Sequence, residues 1–133
     1  MTRVPSGARG RRSRLRPAGA ASGQGRGNAA ERRAVWHYRL RGYRILGTNV
    51  WAGRNEIDVI ARRGSSLVFC EVKEKSGPGF GDPLEMIGPE KARRVRHAAE
   101  AWLATHPELA GLEVRFDAVA ERAGRLERLS NAF

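Results

Sequence analysis

Residues 53–75, GRNEIDVIARRGSSLVFCEVKEK, most constrain what this chain folds into. Two short apolar runs, Asn55–Ala61 and Leu67–Lys73, flank the turn signal Arg63-Gly64-Ser65-Ser66, the pattern of a β-hairpin. Each run carries charge that a buried strand should avoid: Asp58 in the first, Glu71 and Lys73 in the second. Strand side chains alternate faces, so Glu71 and Lys73 project the same way. If the hairpin pairs in register, Asp58 approaches Glu71. Burying an unpaired carboxylate is costly, and two neighbouring carboxylates repel one another. A hard divalent cation with oxygen ligands relieves both costs, and Lys73 beside it is placed to orient a water or neutralise a phosphate. The competing explanation is an edge hairpin with solvated charges.

Length and composition bound the rest. A chain of 133 residues, 41% hydrophobic, suits one globular domain. No apolar run is long enough to span a membrane, and no apolar leader core stands near the N-terminus. Cys70, the single cysteine, has no intramolecular partner, so a reducing cytoplasm is the expected compartment. The net charge of +11 is uneven. Seven of the 25 basic residues are arginines within residues 1–30, where there is no acid; the other 18 face 14 acids. Residues 1–26 are rich in Arg, Gly, Ser, Ala and Pro and are expected to be a disordered basic tail, with the folded domain over 27–133. The tail reads as a solubilising extension or as an arm along phosphates.

A first helix is expected over 28–41. Asn28 is its N-cap, Glu31 the acid of a capping box, Ala30, Ala34 and Tyr38 its apolar face, and Gly42 its stop. Strands follow at 44–51, 55–62 and 66–73, forming a meander. A Gly- and Pro-rich loop, Ser76–Pro83, begins just after Lys73 and reads equally as a gate or contact for a substrate and as a plain connection. The helix over 89–105 opens on Pro89, with Val95, Ala98, Ala99, Trp102 and Leu103 on one face and Lys91 at its edge. Its arginines, Arg94 among them, serve either phosphates or a solvated face. A fourth strand spans 113–120, where Asp117 is expected to be structural, and a short fifth spans about 125–129. His37, His97 and His106 lack metal-ligand spacing. The fold class is therefore α/β, with a mixed sheet flanked by helices in the order α-β-β-β-α-β.

That order, with Asp58 and Glu71-Val72-Lys73 on successive strands, resembles the PD-(D/E)xK nucleases and their restriction-endonuclease-like fold. The resemblance narrows on Gly42-Tyr43-Arg44-Ile45-Leu46, Asn49, Glu56-Ile57-Asp58-Val59-Ile60-Ala61, Glu71-Val72-Lys73, Phe80-Gly81-Asp82-Pro83, Lys91, Arg115-Phe116-Asp117 and Asn131-Ala132-Phe133. Over about residues 30–133 these look like the YraN-like family of small bacterial endonuclease-like proteins. The resemblance implies Mg²⁺- or Mn²⁺-dependent cleavage of DNA, with branched or junction substrates suggested by kinship with junction resolvases. Asp58 and Glu71 then look like the metal carboxylates, helped by the Val72 carbonyl. Glu31 looks like a further metal carboxylate, Lys73 like the catalytic lysine, and Lys91, Arg94 and Lys75 like phosphate-binding cations. A homodimer is compatible with junction cutting. Asn55 stands where the family has Gly and is expected to keep the turn by tolerating left-handed backbone. The alternative function is a non-enzymatic nucleic-acid-binding module on the same fold.

Overall fold

The computed structural model describes residues 18–75, 87–122 and 124–133. Helix α1 (Ala18–Leu40) precedes three strands, β1 (Arg44–Ala52), β2 (Asn55–Arg63) and β3 (Ser66–Lys75). Helix α2 (Pro89–Ala104), a 3₁₀ turn (Pro107–Leu109), β4 (Glu113–Arg122) and β5 (Arg125–Leu129) complete the order. The strands form one mixed sheet in the order β1-β2-β3-β4-β5, in which β3 and β4 pair in parallel and the other pairs are antiparallel. The α-β-β-β-α-β order expected from the sequence is thus observed, with the fifth strand added. A parallel neighbour cannot be reached by a tight turn, which is why α2 lies between β3 and β4.

Strand β3 is the centre. Leu67, Val68, Phe69 and Cys70 are all buried, as befits a strand covered on both faces. Val68 and Cys70 join Ala34 and Tyr38 of α1, with Val59, Ala61 and Val119, in one core. Leu67 and Phe69 join Ala98, Ala99 and Trp102 of α2, with Ile57 and Ile60, in the other. Strand alternation therefore distributes the hairpin between two helices, one per face.

Turns follow the residues that permit them. Gly42, at φ +88°, closes α1: its amide donates to the Arg39 carbonyl, and the Tyr43 amide donates to the Tyr38 carbonyl, a Schellman stop. Between β1 and β2 the two turn residues Gly53 and Arg54 both have positive φ, +56° and +67°, the geometry that matches hairpin twist. A β-carbon on Gly53 would also meet His97 Cδ2 at 2.9 Å, so this turn is pressed against α2.

Three expectations need correction. Helix α1 extends back to Ala18, so Asn28 lies inside it and Glu31 is an interior residue, not a capping acid. Ala18, Ala20 and Ala21 favour helix in this added stretch, although Gly19, Gly23, Gly25 and Gly27 oppose it. The expected tail is accordingly helical from Ala18; residues 1–17 lie outside the described residues. Arg54, not Asn55, takes the left-handed position at the turn; Asn55 starts β2 and its Nδ2 donates to the Gly53 carbonyl at 2.9 Å. The loop over 76–86 and the Lys75 side chain also lie outside the described residues. Among the described residues no helix is long and apolar enough to cross a membrane.

Candidate active site

The cleft forms where β2 leaves β3. Their pairing runs from Arg63↔Ser66 back to Val59↔Cys70 and stops. The next residue on β2 is Asp58, and its Oδ2 accepts a hydrogen bond from the Val72 amide at 2.8 Å. A side chain thus occupies the place of the next backbone rung. Beyond it opens a cleft of about 270 Å³ lined by Ala30, Glu31, Asn55, Glu56, Asp58, Glu71, Val72, Lys91, Arg94 and Val95. The polar floor comes from the sheet, Glu31 from α1, and the cations from the first two turns of α2.

Glu71 continues the row of Leu67 and Phe69 toward α2 and is 5% exposed. Lys91 Nζ reaches its Oε2 at 3.0 Å, and Lys73 Nζ lies 3.9 Å from the same oxygen. Lys91 projects from the first turn of α2, which Pro89 opens with its missing N–H at no cost. Arg94 is tied to Glu90 one turn back, at 3.2 Å.

Asp58 is the perturbed group. Burial raises its pKa first, and the charge of Glu71 adds to that. The Val72 amide opposes the rise, while Glu31 and Glu56 reinforce it, and the carboxyl is pushed up to about 8. Four acids therefore share one cleft, and the repulsion among them falls on Asp58.

The sequence-predicted residues largely meet. Asp58, Glu71, Val72, Lys91, Arg94 and Glu31 line one cleft, and Lys73 touches it through Glu71. Asn49, Asn55 and Glu56 had no assigned role in the site. Asn49 holds a positive φ of +51° on an edge strand and donates from Nδ2 to Glu31 Oε2 at 2.8 Å. This bond orients the helix carboxylate; the sequence signal for it is an Asn, among the non-glycine residue types best suited to left-handed backbone.

Among the described residues no three His, Cys, Asp or Glu side chains form a ready metal-binding group. Each of these acids has a protein partner: Asp58 the Val72 amide, Glu71 the Lys91 ammonium, Glu31 the Asn49 amide. The donor set nevertheless fits a small hard cation. Mg²⁺ takes one or two carboxylates and keeps several waters, and Asp58 and Glu71 are two such carboxylates whose mutual repulsion it would relieve. His97 packs beside Gly53, and His106 stacks on Trp102 at 3.8 Å, so both serve packing.

The model of the uncharacterised protein family UPF0102 matches residues 30–120, which include the whole cleft. A UPF0102 protein of Alkalilimnicola ehrlichii is 38% identical over 121 residues, 91% of this chain and 96% of the relative. One from Azorhizobium caulinodans is 42% identical over 109 residues, 81% and 82% of the two chains. One from Acidothermus cellulolyticus is 45% identical over 80 residues, 60% of this chain; the match spans 61% of that relative's length.

Proposed function

The chain belongs to the UPF0102 family, the YraN-like group of the sequence resemblance, and for it we propose a metal-dependent nuclease of the PD-(D/E)xK type acting on DNA. The observation that carries this reading is the meeting of Asp58 and Glu71 at the floor of an open cleft, with Lys73 following Glu71 on the same strand face. The α-β-β-β-α-β order supports a restriction-endonuclease-like fold beneath it.

In this reading Asp58 and Glu71 hold the cation, with the Val72 carbonyl beside them and Glu31, oriented by Asn49, as a further acid. What Mg²⁺ or Mn²⁺ supplies when bound is polarisation of a phosphoryl oxygen and a water of lowered pKa. Lys73 orients the attacking water and keeps its ammonium near the charge that develops on the phosphoryl oxygens. Lys91 and Arg94 stand at the rim as cations for backbone phosphates. The pKa of Asp58, raised by burial and then by Glu71, means that a bound cation would favour its carboxylate form at neutral pH.

One observation favours a second reading, a nucleic-acid-binding module without catalysis. Lys91 already pairs with Glu71 at 3.0 Å, which compensates that acid without a metal. The test uses labelled four-way junction, flap, duplex and single-stranded DNA, with Mg²⁺ or Mn²⁺ against EDTA. The nuclease reading expects metal-dependent cleavage that falls at least ~100-fold in Lys73→Ala and is lost in Asp58→Asn. Salt-sensitive binding with no cleavage on any substrate moves the assignment to the binding module.

A further inference from the structure

Beside the cleft, on the far side of Glu31, lies a second groove of about 260 Å³ lined by Glu31, Arg32, Val35, Trp36, Arg39, Thr48 and Asn49. Glu31 and its partner Asn49 form the wall between the two. Arg32, Val35, Trp36 and Arg39 recur at helical spacing and share one face of α1, opposite Thr48 and Asn49 of β1.

Trp36 is the anomaly in this groove. It is 56% exposed, although an indole is among the side chains that gain most from burial. The ring is not loose: the Arg39 guanidinium lies over it, 5.6 Å from the centroid, within cation–π range. Arg32 and Arg39, both exposed, bracket the ring along the helix. An exposed aromatic ring flanked along a helix by two arginines is a combination that binds single-stranded nucleic acid: bases stack on the ring and phosphates meet the cations. A duplex keeps its bases stacked internally and offers no free face. The groove lies just below the ~300 Å³ at which small-molecule pockets begin, which suits one base and not a length of strand.

We infer that this groove holds one unpaired nucleobase, stacked on Trp36 with its flanking phosphates on Arg32 and Arg39, so that the adjoining cleft addresses DNA at a junction of single and double strand. The inference rests on the reading of the cleft as a DNA site, and gives that site a substrate class. Trp51 is a built-in control. It is more exposed, at 68%, yet lines neither the cleft nor the groove.

The test uses the full chain and two fluorescein-labelled DNAs, a blunt duplex and the same duplex with a single-stranded overhang. Affinities are read by anisotropy in EDTA, where no metal-dependent cleavage intervenes. Wild type is expected to prefer the overhang. Trp36→Ala should weaken overhang binding about tenfold and leave the blunt duplex unchanged, in line with base–aromatic stacking. Trp36→Phe should retain most of the preference, and Trp51→Ala all of it. No preference in wild type, overhang affinity in Trp36→Ala within about twofold of wild type, or equal losses on both DNAs would each overturn the inference. Circular dichroism on Trp36→Ala guards against unfolding. Cleavage is scored separately with Mg²⁺. Selective loss of overhang binding without cleavage by any protein keeps the stacking site and removes the nuclease. Cleavage that Trp36→Ala performs like wild type on the overhang does the reverse.

Discussion

Asp58 and Asp117 are both acids set into the sheet, and the protein treats them in opposite ways. Asp117, on β4, is wholly buried and saturated with donors. Tyr38 Oη donates to it at 2.8 Å, Arg115 Nε at 3.0 Å and the Asn131 amide at 3.0 Å. That knot ties α1, β4 and the C-terminal residues together. Asp58 faces an open cleft, takes one backbone amide, and looks onto three other acids. A carboxylate that is fully partnered builds the fold. One that is crowded by its own kind costs stability and is retained where chemistry or a ligand repays it.

The contrast breaks most readily at Asp117. Asp117→Ala removes the acceptor of Tyr38 and the carboxylate of Arg115, which keeps only Tyr43 Oη, and should cost about 3–5 kcal/mol in urea unfolding, the scale of breaking a buried pair. A loss below 1 kcal/mol would mean that the knot is not what holds these elements together.

Asp58 should show the opposite sign. Its folded pKa, near 8, lies above the unfolded value, so the folded state keeps its proton longer. Asp58 therefore contributes a loss of stability to metal-free wild type as pH rises from about 4 to 8, and its penalty is constant above that. Asp58→Asn keeps the acceptor for the Val72 amide and removes this slope. It should be the more stable protein at pH 8, by about 1–3 kcal/mol, with the gap closing toward pH 4. Equal slopes for the two proteins would remove the crowding of Asp58 from the account. Mg²⁺ sharpens the same comparison. Wild type at pH 8 should gain about 2.7 kcal/mol at a hundredfold excess over Kd, measured by thermal unfolding, and Asp58→Asn should gain little.

Gly53 joins the two halves of the contrast, because its turn leads into the strand of Asp58 and leans on the helix of Lys91. Gly53→Ala combines positive φ with contact to His97 and should cost about 1–2 kcal/mol in equilibrium unfolding. The smallest effect is expected at Lys91. Its side chain is 32% exposed, so Lys91→Ala should cost under about 1 kcal/mol of stability. If it also contacts a phosphate, the slope of log affinity against log salt should flatten by about 0.9.

Local sequence made the hairpin legible, since two short apolar runs with the turn signal at Gly64 between them leave few alternatives. The strand limits read from it lie within two residues of those observed for β1, β2, β3 and β4. The start of α1 was less legible, because the glycine-rich residues 18–27 carry no net helix signal and the capping signal at Asn28 points to a later N-terminus than the observed one. Glu31 looked like the acid of that cap and is instead an interior residue drawn to the cleft by Asn49, a partner 18 positions away. Lys91 could be placed at the edge of an amphipathic face, but its partner depends on how α2 crosses the sheet.

From sequence alone come the alternation that gives β3 two buried faces, the position of Asp58, Glu71 and Lys73 on adjacent strands, and the fold class. These follow from short-range sterics and from the cost of exposing apolar surface. The point at which β2 stops pairing with β3, the Val72 amide on Asp58, the bond from Asn49 to Glu31 and the groove under Trp36 belong to the packed molecule. Each depends on where two helices settle on opposite faces of a twisted sheet, and on the repulsion among acids from separate elements once they are brought into one cleft.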